Sequence, residues 1–455
     1  MRERTTSESF TFQEITELER HVPLKLRSIG LIRGYLDRLR SLAGRLKGDL
    51  LFGSASMLAS LVAFQGSIVA ARCLTPEKMG IMQALLLIPT YCAFLPLGVF
   101  NGLNRNIAFY LGKGDQAKVQ AMVNSSWVVA KIVAVAGALI AAAFSVYYLN
   151  SGVSRVYLLG MLFVSTALVM EPFSQHLEVV YMSSRSFRAL GVRLLWQNVI
   201  TALGNLLPAL AGVAGFVASR CILNFSRLLA RASGVPIKAS GKGTVAEAKD
   251  LAVTGAPLLI SGVLYGYLGA ADRSVIALLM RPADLGHYAL TALVVTSNQI
   301  IPFCLAVLFY PRIAACYGKS NSPRALRRYY WILLGVNVAV ALPVCIGMYF
   351  AVGPLTELYL PQYVEGIPAA KIGCLSSLAF VYIGVSDIIA VVRRNTPYVI
   401  MVGASLGLTW LLGSYLVTHG YGIIGAIWAR ALATAMLCVF TVVYTYRLTG
   451  ERSLA

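Results

Sequence analysis

The sequence predicts an all-α integral membrane protein, with twelve transmembrane helices in two pseudo-symmetric six-helix lobes and both termini cytoplasmic. Three observations predict it. Of the 455 residues, 58% are apolar and only 13% are charged, where a water-soluble chain carries about 25% charge. Apolar stretches of roughly 20 residues, enough to cross a bilayer, recur along the chain. Lys and Arg concentrate in alternate connecting segments, as cytoplasmic loops do. The net charge of +20 would suggest nucleic acid in a soluble protein. Here it follows from topology, and no nucleic-acid partner is expected.

Taken in order, residues 1–48 form a cytoplasmic arm. Met1–Arg20 is polar, and no apolar run follows a short basic stretch, so a signal peptide is not expected. Between Leu24 and Lys47, Leu26, Ile29, Leu36, Leu39 and Leu46 fall near helical spacing among Arg33, Arg38, Arg40 and Arg45. That pattern predicts a basic amphipathic helix on the membrane surface, with docking of another protein as the competing use. The N-lobe, 49–230, holds six spans: Leu50–Ala71, Ile81–Phe100, Ala121–Tyr148, Val156–Met182, Leu194–Leu210 and Gly212–Leu229. Only a Gly-containing turn near Ala211 divides the last two. Residues 231–250 are rich in Gly, Ser and Lys and predict a flexible cytoplasmic linker. The C-lobe, 251–447, holds Leu251–Leu279, Tyr288–Phe309, Tyr329–Phe350, Ile367–Val391, Tyr398–Val417 and Ile423–Tyr444, followed by a tail at 448–455. With the N-terminus inside, the remaining inside segments carry twenty Lys and Arg against five outside. This bias places both termini in the cytoplasm.

Self-comparison reveals an internal repeat. A shift of 206 residues sets Pro76 on Pro282, Gly80 on Gly286, Ile107 on Ile313, Ala108 on Ala314, Gly112 on Gly318 and Lys113 on Lys319. A shift of 210 sets Gly212 on Gly422, Gly215 on Gly425 and Arg220 on Arg430. The matches include Pro, Gly, Lys and Arg, which chance similarity among apolar helices does not supply. An even number of spans per half keeps the halves parallel, a transporter plan with its substrate site between them. Pro89, Pro96, Pro208, Pro257, Pro302 and Pro343 are expected to interrupt spans and let the halves rock.

Other chemistries find little support. The eight cysteines lie singly without a C-x-x-C pair, and the four histidines are far apart, so neither a disulfide framework nor a metal site is expected. A-S-G-K-G-T (239–244) and L-G-K-G-D (111–115) are not phosphate loops of the G-x-x-x-x-G-K-[ST] kind. No cofactor is expected.

L-T-P-E-K-M-G-I-M (74–82) and N-R-N-I-A-F-Y-L-G-K-G-D (104–115) are followed by A-P-L-L-I-S-G (256–262), A-D-R (271–273), G-H-Y-A-L (286–290) and Y-P-R-I-A (310–314). L-P-Q-Y-V-E-G-I-P-A-A-K-I (360–372) and Y-G-I-I-G-A-I-W-A (421–429) complete the series. From about Asp49 to Tyr446 the chain thereby resembles the polysaccharide-transporter branch of the multidrug/oligosaccharidyl-lipid/polysaccharide exporter superfamily. The resemblance implies a flippase for polyprenyl-diphosphate-linked oligosaccharides, with two lobes around a cationic cavity. It also implies partners: the lipid-linked oligosaccharide, membrane lipids, and a polysaccharide polymerase or glycosyltransferases. The basic arm is not part of that pattern.

Four cations fall inside predicted spans: Lys131, Arg220, Arg273 and Arg430. A charge at the bilayer centre costs about 2.5–3.5 kcal/mol on the lenient scale, so it faces a partner or a wet cavity. Guanidinium groups bind phosphate bidentately. Arg220 and Arg430, with Lys131 and Arg273, are therefore candidate phosphate-facing residues. The competing reading is pairing with Glu171, Asp272 or helix-end carbonyls. Asp272 and Arg273 point about 100° apart on a helix and are expected to serve different partners. Glu171, beside Pro172, is a candidate for coupling to a proton or sodium gradient, or for neutralising an arginine. His176 and Glu178 are weaker candidates. Asn198, Asn205, Asn224, Asn298 and Gln299 suit sugar hydroxyls or inter-helix hydrogen bonds.

Two other functions compete. A drug or cation antiporter of the same superfamily shares the helical plan but usually lacks the L-P-Q-Y-V-E-G-I-P segment. A membrane polysaccharide polymerase or ligase needs a sizeable outer loop, and the longest here, Ala351–Gly366, is short.

Overall fold

A computed structural model describes residues 51–184, 186–300, 323–379 and 396–450. The arm at 1–48, the end of the tail, parts of the eighth and tenth predicted spans, and the repeat partners Ile313, Ala314, Gly318 and Lys319 lie outside the described residues. All regular structure described is helical. In chain order α1 is Leu51–Cys73, α2 Pro76–Tyr91, α3 Val99–Gly112, α4 Gln116–Asn150, α5 Arg155–Ser183, α6 Phe187–Gly204 and α7 Leu207–Ala232. After the linker come α8 Val245–Leu268, α9 Ala271–Leu279, α10 282–300, α11 Pro323–Tyr359, α12 367–379, α13 Thr396–Leu416 and α14 Gly422–Gly450.

Among the described residues seven helical stretches are long and apolar enough to cross a membrane, or eight if the bent pair α2/α3 counts as one span. One stretch, Pro397–Arg447, holds two predicted spans. Large apolar side chains point outward along the helices, among them Leu210, Leu411, Phe350 and Leu139, each more than two-thirds exposed. In water such a surface would aggregate; in lipid it is the solvated face.

The repeat is visible in the backbone. Gly212 and Gly422 take almost the same left-handed φ, 52° and 53°, which favours glycine. A Cβ on Gly215 would overlap the Leu207 carbonyl, and one on Gly425 would crowd Leu416 and Tyr421. Both contacts require a chain reversal, so a hairpin turns at Ala211–Gly212 and again at Gly420–Gly422. The thin division expected near Ala211 is thus the turn, although helical geometry runs into it from both sides.

The two halves meet through glycine. A Cβ on Gly80 would overlap the Pro282 carbonyl, and a Cβ on Gly286 would overlap the Pro76 carbonyl. These are the residues that the 206-residue shift superimposes. They contact each other reciprocally, as residues related by a two-fold axis must. Around them Leu74, Met79, Met82 and Leu85 share one buried cluster with Leu290, Val294, Tyr363 and Cys374. The L-P-Q-Y-V-E-G segment straps this end. Its 3-10 turn, Pro361–Gly366, lets Gln362 Nε2 donate to the Ala71 carbonyl at 2.9 Å and Tyr363 OH donate to the Leu74 carbonyl at 2.9 Å. This far face, opposite the linker, is therefore closed by both halves.

Towards the linker, the α2/α3 pair bends by 51° at Pro96–Gly98, where Leu97 and Gly98 have φ of 49° and 84°. The bend seats the backbone of Gly98 and Gly102 against Leu251 and Gly255 of α8. Tyr267 OH donates to the Tyr91 carbonyl at 2.7 Å. Pro96 breaks its span as expected, but Pro89, Pro257 and Pro343 lie inside helices that continue through them. Pro302 lies outside the described residues.

The linker is not a free tether. Gln120 Nε2 donates to the Lys238 carbonyl at 2.8 Å. The backbone N–H of Ser240 donates to Asn124 at 3.0 Å, and that of Thr244 to Ser125 at 2.9 Å. Lys118 pairs with Glu247 at 2.6 Å. Gly241 and Gly243 fit against Asn124 and Ser125 with no room for a Cβ. The glycines serve close approach to α4 rather than flexibility.

Gly80→Val should destabilise the protein by about 1–3 kcal/mol, the cost of overpacking against backbone. Gly112→Ala, where a Cβ meets nothing within 4 Å, should be close to neutral. Thermal unfolding in detergent compares the two.

Candidate functional site

A cavity of about 450 Å³ lies between the halves. The first half supplies Ser60, Phe64 and Ser67 from α1, Gln83 from α2, and Phe216 and Arg220 from α7; the second supplies Arg273, Thr296, Gln299 and Tyr363.

Arg220 lies two turns past the Ala211–Gly212 reversal. Its guanidinium rests over the Phe216 ring at 4.9 Å, and its Nε is buried without a hydrogen-bond partner. Arg273 sits at the start of α9, just after the helix break at Gly269–Ala270. The break frees a carbonyl, and Arg273 Nη2 donates to Gly269 O at 3.1 Å; its Nε is likewise unpartnered. Among the described residues neither arginine has a carboxylate in ion-pair range. The cavity is thus lined by two arginines, one from each half, that form no ion pair among the described residues.

Arg430 departs from the expected symmetry. It is 5% exposed, does not line the cavity, and pairs with Asp272 at 2.7 Å. Tyr288 OH donates to the same Asp272 oxygen at 2.5 Å, and Asp272 also accepts from the Arg273 backbone N–H at 2.9 Å. The Asp272 carboxylate thus pairs with the Arg430 side chain, while the Arg273 side chain bonds the Gly269 carbonyl. Under the 206-residue shift the position equivalent to Asp272 is Gly66. The first half has no acid where the second has one, and Arg220 is left without the counter-charge that Arg430 finds. Ser67, the equivalent of Arg273, also lines the cavity, which supports the register.

Lys131 lies elsewhere. It is exposed on the outward stripe of α4 that carries Val128, Ile132 and Val135, and it does not line the cavity. α4 is apolar on every side, so no amphipathic signal in the sequence distinguished its lipid face from its inner face. Glu171 neutralises an arginine: it pairs with Arg227 at 2.7 Å and accepts from Gln175 at 3.2 Å. Glu178 pairs with Arg231 at 2.7 Å. With Asn224 donating to Thr166 at 3.1 Å, these form a polar ladder between α5 and α7. Arg227 and Arg231, counted as loop charges from the sequence, belong to that ladder.

His176 is buried against Ser126 Oγ at 3.0 Å, between Phe100 and Trp127. Asn198 donates to the Ala55 carbonyl at 2.8 Å, Asn205 to Val62 at 2.8 Å and Asn298 to Ser377 at 2.9 Å. They join helices rather than face the cavity. Gln299 alone of the expected amides lines it. Gln83, Thr296 and Tyr363 were missed; Tyr363 lay within the L-P-Q-Y-V-E-G segment, a usable signal. Among the described residues no cluster of His, Cys, Asp and Glu is set for a metal ion.

No family model matches the chain, and no curated protein sequence matches it. Solved structures do. The inward-facing conformation of a multidrug-resistance MATE family transporter of the MOP superfamily matches with a TM-score of 0.72, covering 89% of this chain and 100% of that one at 12% identity. The fold is that of the MATE transporters. The outward-facing conformation of a multidrug-resistance MATE transporter matches with a TM-score of 0.65, covering 90% of this chain and 97% of that one at 12% identity. A MOP-superfamily transporter from Pyrococcus furiosus, described as having a binding pocket of reverse polarity that suggests a different function, matches with a TM-score of 0.63. That match covers 90% of this chain and 97% of the other at 13% identity. In this MATE-like fold the cavity of Arg220 and Arg273 lies between the two halves of the chain.

Asp272→Asn should remove the carboxylate that pairs with the buried Arg430 and cost about 3–5 kcal/mol. The double change Asp272→Leu with Arg430→Met should recover most of that loss. Thermal unfolding of the three proteins checks the pair as structural rather than substrate-binding.

Proposed function

We propose that the protein is a flippase of the cytoplasmic (inner) membrane. It moves a polyprenyl-diphosphate-linked oligosaccharide to the outer leaflet by alternating access of its two halves, for surface or exopolysaccharide assembly. The observation that carries this reading is that Arg220 and Arg273 line the inter-lobe cavity with no carboxylate in ion-pair range among the described residues. A guanidinium without a carboxylate, held in a low-dielectric site, favours a bound anion. A diphosphate offers oxygens to both arginines at once, bridging the halves. Gln83, Gln299, Thr296 and Ser67 line the same cavity and suit sugar hydroxyls. Lys131 and Arg430 have no place in this binding set.

The closed far face supplies one of the two states that alternating access needs. The strap of Gln362 and Tyr363 on the α1 end is a set of bonds that must break when that face opens. Transport is driven by a proton or sodium gradient in this reading, with a polysaccharide polymerase and glycosyltransferases as functional partners.

The second reading, a drug or cation antiporter, is favoured by the multidrug transporters among the structural matches. Cavity charge separates the two, since a cavity lined by Arg220 and Arg273 disfavours an organic cation.

Arg220→Gln with Arg273→Gln should abolish translocation of a polyprenyl-diphosphate oligosaccharide in proteoliposomes, with membrane insertion unchanged. Normal flipping by this double variant sinks the residue assignment. Drug efflux by the purified protein with no lipid flipping decides for the antiporter. Tyr363→Phe removes one inter-lobe hydrogen bond, worth about 1 kcal/mol, and should shift the equilibrium towards an open far face about fivefold. Thiol labelling of Cys73, which is exposed near the strap, reads the change.

A further inference from the structure

A second feature lies on the outer side of the first half, away from the inter-lobe cavity. α6 and α7 are separated by a groove of about 830 Å³. Its end nearest the linker is lined by Arg193, Gln197, Ser226 and Ser233, beside Leu229 and Ala230. Deeper, it is lined by Ile200, Ala218, Ile222 and Phe225. Trp196 stands at its edge, 67% exposed.

Arg193 is fixed in place. Its Nε donates to the Ser233 carbonyl at 2.6 Å and its Nη1 to the Ala189 carbonyl at 2.8 Å. Its guanidinium lies over the Tyr181 ring at 5.0 Å. Among the described residues it has no carboxylate partner, so its charge is oriented but not neutralised. One turn further along the same face, Gln197 is only 6% exposed, yet its carboxamide oxygen has no hydrogen-bond partner. A buried amide in an apolar groove is costly unless a ligand completes it.

We infer that this groove is a binding site for one anionic glycerophospholipid of the leaflet on the linker side. The phosphate sits against Arg193, and the glycerol ester region lies about 6 Å deeper, one helical turn, beside Gln197. An acyl chain fills the apolar floor. Rotation of the Gln197 amide presents its NH₂ to an ester carbonyl, so the group matches that depth in either orientation. The run from charge to amide to hydrocarbon follows the order of groups along one lipid molecule. The N-terminal arm is a poorer occupant. α1 begins against Gly191 and Asn198, on the face of α6 turned about 140–160° from Arg193.

Trp196 reads the site. The full-length protein is reconstituted in phosphatidylcholine vesicles containing a minor fraction of dibrominated phosphatidylglycerol, or dibrominated phosphatidylcholine as the comparison. The Trp196 component is the difference between wild type and Trp196→Phe. Brominated phosphatidylglycerol should quench it at about fivefold lower mole fraction, the factor expected for one arginine near the membrane surface. Arg193→Lys should keep the preference, and Arg193→Gln should remove it. Gln197→Leu and Ala218→Phe, which leave the Arg193–Ser233 contact intact, should each weaken quenching even if Arg193→Gln fails to fold. Equal quenching by the two lipids, or a preference indifferent to these changes, overturns the site. So does lipid access that appears only after residues 1–40 are deleted, which would make the arm the occupant.

Discussion

A positive charge inside a membrane protein needs a negative one, and the two halves of this chain meet that requirement differently. In the second half Arg430 is held by Asp272, which Tyr288 also holds. In the first half the position of that acid is Gly66, and Arg220 turns into a cavity instead. The repeat doubles the arginine and deletes one counter-ion. That single asymmetry converts a structural pair into a candidate anion site, with Arg273 completing it from the other side.

The geometry around the cavity follows from backbone proximity. Gly80 and Gly286 bring the proline ends of α2 and α10 into reciprocal contact, and Gly98, Gly102 and Gly255 bring α3 onto α8. In lipid no hydrophobic effect drives helices together, so close approach at small residues must do it. Polar bonds then add direction. The strap of Gln362 and Tyr363 fastens the far face, while the Glu171–Arg227 and Glu178–Arg231 pairs fix α5 to α7 within one half. The ion pairs of α5 and α7 join helices within one half, and the strap joins one half to the other.

Polar residues in the spans fall into two uses. Most amides and both glutamates of α5 join neighbouring helices, where an unsatisfied group in hydrocarbon would be costly. Fewer face a cavity or a groove with an atom left unpaired: Arg220, Arg273 and Gln197. It is the second set that asks for a ligand, one between the halves and one on the lipid-facing side.

Composition and loop charge alone predicted helices in a bilayer, because apolar length and basic loops are one-dimensional properties. The repeat was equally legible, since Pro and Gly at fixed spacing mark backbone contacts that recur in both halves. Which face of each helix looks inward was not legible. Lys131 sits on a helix apolar all round, and its outward position followed only from the packing of α4. The fates of Arg220 and Arg430 were also undecidable by inspection of either helix, because the deciding residue, Asp272 or Gly66, lies on another helix far along the chain. The linker's glycines read as flexibility until Asn124 and Ser125 were found against them. Sequence records which groups must be satisfied; only the fold records by what.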